Sequence, residues 1–314
     1  MKKVLITGAA GFIGSYLTDY FLSKNFRVYG IDNLLTGSIE NISHNFKNNK
    51  FNFIEADIRN EIKINEKFNY ILHFASPASP MDYLKFPIET LQIGSIGTEN
   101  VLKLALKSKC PVLVASTSEV YGDPKEHPQN ESYYGNVNPI GPRGVYDEAK
   151  RYLEALTTAY KTKKGLSVRI VRIFNTYGPR MRKNDGRAIP NFINQAIYNK
   201  KITIYGDGSQ TRSFCSISDT VSGIIKLLNS NYDYPLNIGN PNEYSILDLS
   251  KLIKNITNSK SEIIFKELPK DDPKIRKPDI TLARKILNWN PEINLTNGLV
   301  RTINYYQNLA NFKQ

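Results

Sequence analysis

Tyr146 and Lys150 are the residues whose types and spacing first suggest proton chemistry. Because they are four positions apart, both lie on one side of the segment if that segment is helical. A free tyrosine has a pKa of about 10, which is too high for a base at neutral pH, but a neighbouring ammonium favours the phenolate. Thr117 follows a predicted strand and is a candidate to hold an alcohol beside Tyr146. These three side chains predict a site that removes a proton from a substrate alcohol.

The segment TGAAGFIG places Gly8, Gly11 and Gly14 between a predicted strand and a predicted helix. Glycines at this spacing suit a tight turn, close approach of backbone to a pyrophosphate, and close packing of helix on strand. The helix amino terminus adds free N–H groups and partial positive charge for that anion. The segment therefore predicts a dinucleotide site that also includes Phe12 and Ile13.

Asp32 ends the second predicted strand, 18 residues after Gly14. A carboxylate at this point accepts hydrogen bonds from both ribose hydroxyls and repels a 2′-phosphate, which favours NAD over NADP. Asn33, rather than an arginine, follows it, in agreement with NAD. Asp57 follows the third predicted strand and is placed to touch the adenine ring. The predicted cofactor set is completed by Ile58, Ala75, Tyr146 and Lys150.

Short apolar segments alternate with amphipathic segments through the first half of the chain, which predicts an α/β fold with a doubly wound parallel (Rossmann) sheet. The predicted strands are Lys3–Thr7, Arg27–Ile31, Phe51–Glu55, Tyr70–Phe74, Val112–Ser116 and Ser167–Ile173. The predicted helices of this half are Phe12–Ser23, Ile93–Leu106 and Tyr146–Tyr160. We expect an NAD-binding domain over residues 1–177 and a smaller sugar-nucleotide-binding lobe over 178–314, with part of 211–240 returning to the first domain.

The composition is that of an ordinary globular chain, with 40% hydrophobic and 23% charged residues among 314. No run approaches the length of about 18 apolar residues that a membrane helix needs. Glycines interrupt the apolar start of the chain, which argues against a secretory signal. The two cysteines, Cys110 and Cys215, lie far apart, so we predict no disulfide framework, no metal and a cytoplasmic location.

The chain carries 42 basic and 29 acidic residues, a net charge of +13. The lysines are scattered and form no run of five, so we predict no nucleic-acid partner. A basic surface also attracts a small anion such as a nucleotide diphosphate. The three histidines, His44, His73 and His127, are dispersed, and none is predicted to be a metal ligand or a triad member.

The glycine segment, the Tyr146–Lys150 pair and Thr117 together resemble the extended short-chain dehydrogenase/reductase superfamily. Longer strings narrow the resemblance to the UDP-glucuronate decarboxylase (UDP-xylose synthase) family and extend it over nearly the whole chain. They are HFASPAS (73–79), STSEVYGDP (116–124), GNVNPIGPR (135–143), IFNTYGPRM (173–181), YGDGSQTRSF (205–214) and DDPKIRKPDI (271–280).

This resemblance implies a three-step reaction of UDP-glucuronate with bound NAD and no net redox change. Hydride leaves C4 with Tyr146 as base and Thr117 holding the alcohol, the resulting 4-keto acid loses carbon dioxide, and hydride returns to give UDP-xylose. Tyr146 donates to the developing enolate. The ketone is the electron sink, so no metal is implied. The resemblance also implies a homodimer formed through paired helices, for which 93–106 and 146–160 are the candidates.

The same resemblance assigns Glu119 and Arg276 to the decarboxylation site, because an arginine suits a carboxylate and Glu119 can move a proton or organise water. Ser118 stands where the 4,6-dehydratases typically carry an acidic aspartate, which disfavours dehydration. The implied substrate set contains diphosphate ligands, a residue beside the uracil, and residues near the sugar: Asn175, Arg187 and Arg212; Tyr205; Ser118 and Arg276.

Other readings remain open: a UDP-sugar 4-epimerase, a nucleotide-sugar 4,6-dehydratase, or a catalytically weakened protein that binds NAD and a UDP-sugar. The last depends on a departure from the family pattern, because Gln92-Ile93-Gly94 stands where Lys-Thr-Asn is common. Loss of the asparagine side chain is expected to loosen the cofactor end of the site or to slow turnover. Ala149 also replaces a frequent glycine beside Lys150.

Overall fold

The computed structural model describes residues 1–267 and 275–311. In this part of the chain, seven parallel strands form a central sheet. The strands are β1 (Lys3–Thr7), β2 (Arg27–Asp32), β3 (Phe51–Glu55), β4 (Tyr70–His73), β5 (Val112–Thr117), β6 (Val168–Ile173) and β11 (Pro235–Ile238). Their spatial order across the sheet is β11-β6-β5-β4-β1-β2-β3. Every residue of β5 is buried, as expected for a strand covered on both faces.

Helices cover both faces of this sheet, so the predicted doubly wound fold is confirmed. One face packs against α1 (Phe12–Ser23), α7 (Ile217–Leu228) and α9 (Thr281–Leu287). The other face packs against α4 (Thr98–Ser108) and α5 (Gly144–Lys164). Each face has its own apolar core, and the strands lie between the two.

The remaining elements form a smaller lobe with a separate apolar core that includes Phe192, Leu249 and Leu299. Its helices are α6 (Ala188–Ile197), α8 (Ile246–Ile256) and α10 (Leu295–Asn311). Its strands are short: β7 (Thr176–Tyr177), β8 (Ile202–Tyr205), β9 (Thr211–Ser213), β10 (Cys215–Ser216), β12 (Glu243–Ser245), β13 (Ile263–Lys266) and β14 (Ile275–Arg276). Two further short helices, α2 (Pro80–Lys85) and α3 (Pro87–Gln92), follow β4.

The chain returns to the first sheet after β10. Strand β11 pairs with β6 in parallel, and α7 packs against both strands. We propose that residues 217–238 belong to the first domain, together with α9, which packs on the same sheet. Within residues 1–267 and 275–311, no helix is long and apolar enough to cross a bilayer.

The structure corrects the predicted helix over Ile93–Leu106. A π-helical turn occupies Ile93–Gly97, and α4 begins only at Thr98. The Thr98 hydroxyl donates to the Ile93 carbonyl oxygen at 3.1 Å, and Gly94 and Gly97 weaken the regular helix in this segment. Periodicity also missed α2, α3 and α9, since helices of six or seven residues carry little periodic signal. The ten-residue α6 was not predicted either.

Candidate active site

A large cleft opens at the carboxyl ends of the central strands, between the sheet and the smaller lobe. This is where open α/β sheets bind ligands. Both sets of predicted chemical residues line it: Thr117, Glu119, Tyr146, Lys150 and Arg276 for catalysis, and Ser118, Asn175, Arg187, Tyr205, Arg212 and Arg276 for the substrate. The predicted cofactor residues line this cleft or a smaller one that continues from it past Gly8 and Gly11.

The turn between β1 and α1 has the shape of an anion cradle. Gly8 has a φ of +72°, and a Cβ there would lie 2.7 Å from the Ala75 nitrogen. A Cβ on Gly14 would lie 1.9 Å from the Gly8 carbonyl oxygen, so only glycine allows this turn. Gly11 is the N-cap of α1 and offers no side chain to the first-turn N–H groups. Those N–H groups are therefore available to a pyrophosphate.

Asp32 lies at the end of β2, where it faces the smaller cleft. Its carboxylate accepts hydrogen bonds from the backbone N–H groups of Ala10 at 3.0 Å and Leu34 at 2.9 Å. A Cβ on Gly37 would lie 2.9 Å from both carboxylate oxygens, so the glycine keeps the space beside them open. Burial raises the pKa of Asp32, and the backbone hydrogen bonds oppose that rise. The arrangement fits an adenosine ribose held at the carboxylate.

Asp57 and Asn33 also line the smaller cleft. The Asn33 amide donates to Asp57 at 3.1 Å, and Arg59 forms an ion pair with Asp57 at 2.8 Å. Burial acts to raise the pKa of Asp57, but the hydrogen bonds from Arg59 outweigh it and lower that pKa. Arg59 also donates to the Gln92 side chain at 2.8 Å, so this departure from the family pattern contacts the residue that pairs with Asp57.

Replacing Asp32 with asparagine is expected to weaken NAD binding about tenfold or more, because charge-assisted hydrogen bonds contribute about 1.5–3 kcal/mol each. Titration of the purified protein with NAD, followed by tryptophan or ligand fluorescence, measures the dissociation constant. Asp207→Asn, at an exposed carboxylate outside both clefts, is the matched control. Unchanged NAD affinity in Asp32→Asn would contradict the ribose assignment.

Tyr146 and Lys150 meet Thr117 as the spacing suggested. The Lys150 ammonium lies 5.7 Å from the centre of the Tyr146 ring and donates to the Ala115 carbonyl oxygen at 2.9 Å. Burial lowers the pKa of Lys150 to about 8. Burial also raises the pKa of Tyr146, as does the Glu119 carboxylate, while a hydrogen bond with Thr117 lowers it. The free site therefore holds a protonated phenol, and further positive charge is needed to favour the phenolate.

Glu119 and Arg276 are 157 positions apart in sequence, and the fold joins them as a buried ion pair. Arg276 is only 3% exposed and also donates to the Gly122 carbonyl oxygen at 3.2 Å. Its Nε is buried without a hydrogen-bond partner in residues 1–267 and 275–311, which leaves a donor for a ligand. Strand β14 places Arg276 beside Arg212 of β9. Glu119 and Arg276 therefore line the same cleft as Tyr146.

Arg143 is a member of this site that our sequence interpretation did not single out. It holds the second oxygen of Glu119 at 2.5 Å, so the carboxylate lies between two guanidinium groups. We refer to Glu119, Arg143 and Arg276 as the carboxylate cluster. Burial alone would raise the pKa of Glu119, but Arg276 and Arg143 lower it to about 2. Arg143 stands three residues before Tyr146, at the N-cap of α5, and this closeness in sequence could have pointed to it.

Tyr83 is a second residue that sequence reasoning missed. Its ring lies nearly parallel to that of Tyr146, with ring centres 5.1 Å apart and an angle of 9°. It is buried on α2 and lines the cleft. Burial raises its pKa, so its hydroxyl stays protonated. A six-residue helix between two prolines gives no periodic pattern from which this contact could be inferred.

The predicted diphosphate ligands also line the cleft, and Arg187 lies close enough to Tyr146 to influence its pKa. Arg187 is paired with Asp185, and Arg212 lies on β9. Asn175 donates to the Ser213 carbonyl oxygen at 3.4 Å. Tyr205 is 44% exposed at the rim, which suits a residue lying beside a planar base better than a core position. Arg180 also lines the cleft, where it pairs with Asp19 and stacks on Tyr16.

Gly94 does not leave the gap that loss of an asparagine side chain was expected to create. A Cβ at this position would lie 2.7 Å from the Ala149 carbonyl oxygen and 2.8 Å from the Ala149 Cβ. The π-helical turn therefore contacts the backbone of α5 directly, at the residue before Lys150. The two departures from the family pattern face each other, and the expectation of a looser cofactor end or slower turnover stays a prediction.

Introducing a side chain at this contact is expected to destabilise the fold. Gly94→Asn is predicted to lower the free energy of unfolding by about 1–3 kcal/mol, because the backbone of Ala149 must shift. Adding Ala149→Gly relieves only the contact with the Cβ, so recovery is expected to be partial. Urea denaturation measures these values, with Ser95→Ala as the control in the same turn. A Gly94→Asn protein as stable as the parent would show that the contact is loose.

This chain is similar to known nucleotide-sugar enzymes in sequence and in fold. The family model for GDP-mannose 4,6 dehydratase matches residues 5–302. UDP-glucuronic acid decarboxylase 1 from Xenopus tropicalis is 48% identical over 306 residues, covering 98% of this chain and 72% of the relative. UDP-glucuronic acid decarboxylase 3 from Arabidopsis thaliana is 46% identical over 299 residues, covering 95% of this chain and 86% of the relative.

Solved structures of related enzymes have the same fold. UDP-glucuronic acid 4-epimerase from Bacillus cereus, in complex with UDP-glucuronic acid and NAD, has a TM-score of 0.88 at 30% identity, covering 98% of this chain and 99% of that one. UDP-glucose 4-epimerase from Thermotoga maritima, with UDP-glucose, has a TM-score of 0.90 at 26% identity over 98% and 99% of the two chains.

Proposed function

This chain belongs to the UDP-glucuronic acid decarboxylase family of the extended short-chain dehydrogenase/reductase superfamily, and we propose that it converts UDP-glucuronate to UDP-xylose and carbon dioxide. The observation that carries this proposal is the carboxylate cluster beside Tyr146 and Thr117. An oxidising triad alone would serve an epimerase equally well. The buried Arg276, paired with Glu119 in the same cleft, adds a group that recognises a carboxylate.

NAD is the cofactor of this family fold, and the residues present fit it. The glycine turn and the amino end of α1 would hold the pyrophosphate, Asp32 the adenosine ribose, and Asn33 with Asp57 the adenine side. When bound, NAD supplies a reversible hydride acceptor for C4 of the sugar. Ile58 and Ala75 line the same cleft and would add apolar contact.

Tyr146 removes the proton of the C4 hydroxyl, and Thr117 holds that hydroxyl in place. The Lys150 ammonium favours the phenolate during this step, together with the positive charge of an oxidised nicotinamide. Oxidation at C4 leaves a carboxylate β to a ketone. The C5–C6 bond then breaks as carbon dioxide leaves, and the electron pair moves to the C4 oxygen. Tyr146 donates to that oxygen, which stabilises the enolate.

Glu119 and Arg276 act around the departing carboxyl group. The low pKa of Glu119, about 2, keeps it ionised at neutral pH, so it orients Arg276 and water rather than supplying a proton itself. Arg276 offers its buried Nε–H to the carboxylate and to the charge that develops as it leaves. A proton then adds to C5 before C4 is reduced again. Ser118 lines this part of the cleft and contacts the sugar.

Four residues that line the cleft bind the UDP portion. Arg187 and Arg212 contact the diphosphate, because guanidinium groups match phosphate oxygens. Asn175, directly before β7, completes this wall, and Tyr205 lies beside the uracil at the rim. Asp185 already pairs with Arg187, so a bound diphosphate would share that guanidinium with it.

A product assay tests the proposed function directly. The purified protein is incubated with UDP-glucuronate and NAD, and carbon dioxide and UDP-pentose are measured by mass spectrometry. UDP-galacturonate as the sole product would favour a 4-epimerase. Turnover of UDP-glucose or dTDP-glucose with loss of water would favour a 4,6-dehydratase. Binding of NAD and UDP-glucuronate without any product would support a catalytically weakened protein.

We also propose that the enzyme is a homodimer. Exposed apolar side chains lie together on α2, α3, the π-helical turn and α5: Met81, Leu84, Ile88, Leu91, Ile96 and Tyr152. Such a patch on adjacent helices is typical of a protein contact. This surface includes residues of the two segments that the sequence suggested, 93–106 and 146–160, and α3 adds to it.

Ile88→Glu combined with Leu91→Glu is expected to convert the dimer to a monomer, weakening association at least about 100-fold. Light scattering after size-exclusion chromatography measures the mass in solution. Phe265→Glu replaces an equally exposed apolar residue of the smaller lobe and is the control. A parent protein that is already monomeric would contradict the proposal.

A cytoplasmic location remains our proposal. Both cysteines are free thiols and both are buried. A reducing compartment keeps such thiols unpaired.

A further inference from the structure

Gln129 is a buried amide to which the mechanism above gives no role. It is fully buried, although the loop around it is largely exposed. The side-chain Oε1 accepts a hydrogen bond from the backbone N–H of Lys277 at 2.9 Å, and Nε2 donates to the Glu126 carbonyl oxygen at 2.6 Å. Both ends of the amide are therefore hydrogen-bonded, as is usual for a buried polar group. One of these bonds holds the residue that follows Arg276.

The backbone of Gln129 holds the same short segment. Its N–H donates to the Lys277 carbonyl oxygen at 2.9 Å, and its carbonyl oxygen accepts a hydrogen bond from the Asp279 N–H at 2.8 Å. The two stretches of chain run in parallel here, with Gln129 opposite Pro278. The N–H and the C=O of Lys277 thus both bond to Gln129, and the side-chain oxygen stands where a longer strand would offer a backbone carbonyl.

Strand β14 needs this second partner because it contains only two residues. It pairs with β9 through Ile275 and Arg276, and the pairing ends at Arg276. The next residue, Lys277, bonds to Gln129 instead. The backbone is therefore held on both sides of Arg276, by β9 on one side and by Gln129 on the other. A fixed backbone fixes the direction in which the guanidinium extends.

The same network reaches the turn that carries Glu119. Asn237 of β11 donates to the carbonyl oxygens of Gln129 at 3.0 Å and Asp279 at 3.1 Å. Its side-chain oxygen accepts a hydrogen bond from the Tyr121 hydroxyl at 2.8 Å, and Tyr121 lies two residues after Glu119 in the turn that follows β5. Both members of the buried ion pair are therefore connected to one residue of the central sheet.

We propose that Gln129 is a positioning residue for decarboxylation, which keeps the Arg276 guanidinium directed at the sugar carboxylate. This inference rests on the proposed function, because it takes Arg276 as the group that meets the departing carboxyl group. Gln129 lines neither cleft and acts through the backbone of Lys277. A shift of about 1 Å in a preorganised group can cost about 100-fold in rate, so a small movement of this backbone has a measurable effect.

Gln129→Met removes the amide while keeping an unbranched side chain of similar length, and its thioether is only a weak acceptor for the Lys277 N–H. We expect carbon dioxide release to fall about 10- to 100-fold, while oxidation at C4, which depends on Tyr146 and Thr117, stays within about twofold of the parent. Reduced nicotinamide, counted per bound NAD, should then accumulate in a stopped-flow experiment. A loss of folded protein would lower both steps together, so this split separates positioning from stability.

A double-mutant cycle with Arg276→Lys shows whether Gln129 acts through Arg276. If it does, Gln129→Met should lower carbon dioxide release by less than about twofold once lysine replaces Arg276. Asn130→Ala is the matched control, because it removes the amide of the next residue, which bonds to Glu126 and Ser132 within the same loop. It should leave both steps unchanged. Gln129→Asn, shorter by one methylene, is a second variant with the same expected split should the methionine variant fail to fold.

A binding experiment separates this inference from the proposed function. In Tyr146→Phe, which is expected to bind substrate without turnover, adding Gln129→Met should reduce the preference for UDP-glucuronate over UDP-glucose about three- to tenfold. The affinity for UDP-glucose, which lacks the carboxylate, should not change. A wild-type protein that releases no carbon dioxide, together with this reduced preference, would contradict the proposed function and leave the role of Gln129 standing.

Several results would overturn the role of Gln129. These are parental carbon dioxide release in Gln129→Met, equal losses of oxidation and decarboxylation, additive effects in the cycle with Arg276→Lys, the same split in Asn130→Ala, or an unchanged preference between the two nucleotide sugars.

Discussion

Tyr146→Phe is expected to lower kcat for carbon dioxide release by about 10³-fold, within the range usual for loss of a general base. The variant keeps the ring that stacks on Tyr83 and loses only the hydroxyl that Thr117 contacts. Oxidation at C4 is the first step, so both the reduced-nicotinamide signal and the product should disappear. The dissociation constants of NAD and UDP-glucuronate should change little, because the lost interaction serves the reaction and not ground-state binding.

The matched control is Tyr29→Phe. Tyr29 is also a buried tyrosine, but its hydroxyl donates to Glu66, and neither residue lines either cleft. It should retain the parental kcat. A Tyr146→Phe enzyme with more than about a tenth of the parental rate would mean that another group removes the C4 proton.

Arg276→Lys is expected to separate oxidation from decarboxylation. Lysine keeps the positive charge beside Glu119 but cannot offer the forked N–H groups of a guanidinium. Carbon dioxide release is expected to fall roughly 10²- to 10³-fold, the loss typical when one preorganised donor is removed. Oxidation at C4 depends on Tyr146 and Thr117, so reduced nicotinamide should accumulate to about one equivalent per active site in a stopped-flow experiment.

Arg276→Lys is preferred to Arg276→Ala, because removing one partner of a buried ion pair typically costs about 3–5 kcal/mol of stability. Thermal denaturation of the lysine variant checks its folding. Lys277→Arg, at the adjacent and partly exposed position, is the control and should behave as the parent. A parallel loss of oxidation and decarboxylation in Arg276→Lys would place Arg276 in the first step or in binding instead.

The chemical core of the site was accessible from the sequence because its signals are local. The helical period alone places Tyr146 and Lys150 on one side of α5, and a strand followed by a glycine turn and a helix needs only residues 3–23. The bounds of β1, α1 and β3 agree with prediction at both ends, since apolar runs bounded by turn residues define them. Asp32 follows from its distance to the same turn.

The short elements of the smaller lobe could not be predicted in the same way. Strand β14 contains two residues, and only its pairing with β9, more than sixty positions earlier, makes it a strand. Pairing over such distances leaves no periodic trace in either segment. Arg276 was assigned from resemblance for this reason, and no local pattern pointed to it.

The sequence by itself therefore determined which residues could move a proton and a hydride, because turn geometry and helical spacing are properties of neighbouring residues. Only the tertiary structure decided what surrounds them: the contact of Gly94 with Ala149, and the burial of Glu119 between Arg143 and Arg276. Burial and charge neighbours depend on which distant segments pack together. These long-range contacts lower the pKa of Glu119, and with it they set the carboxyl chemistry proposed for this cleft.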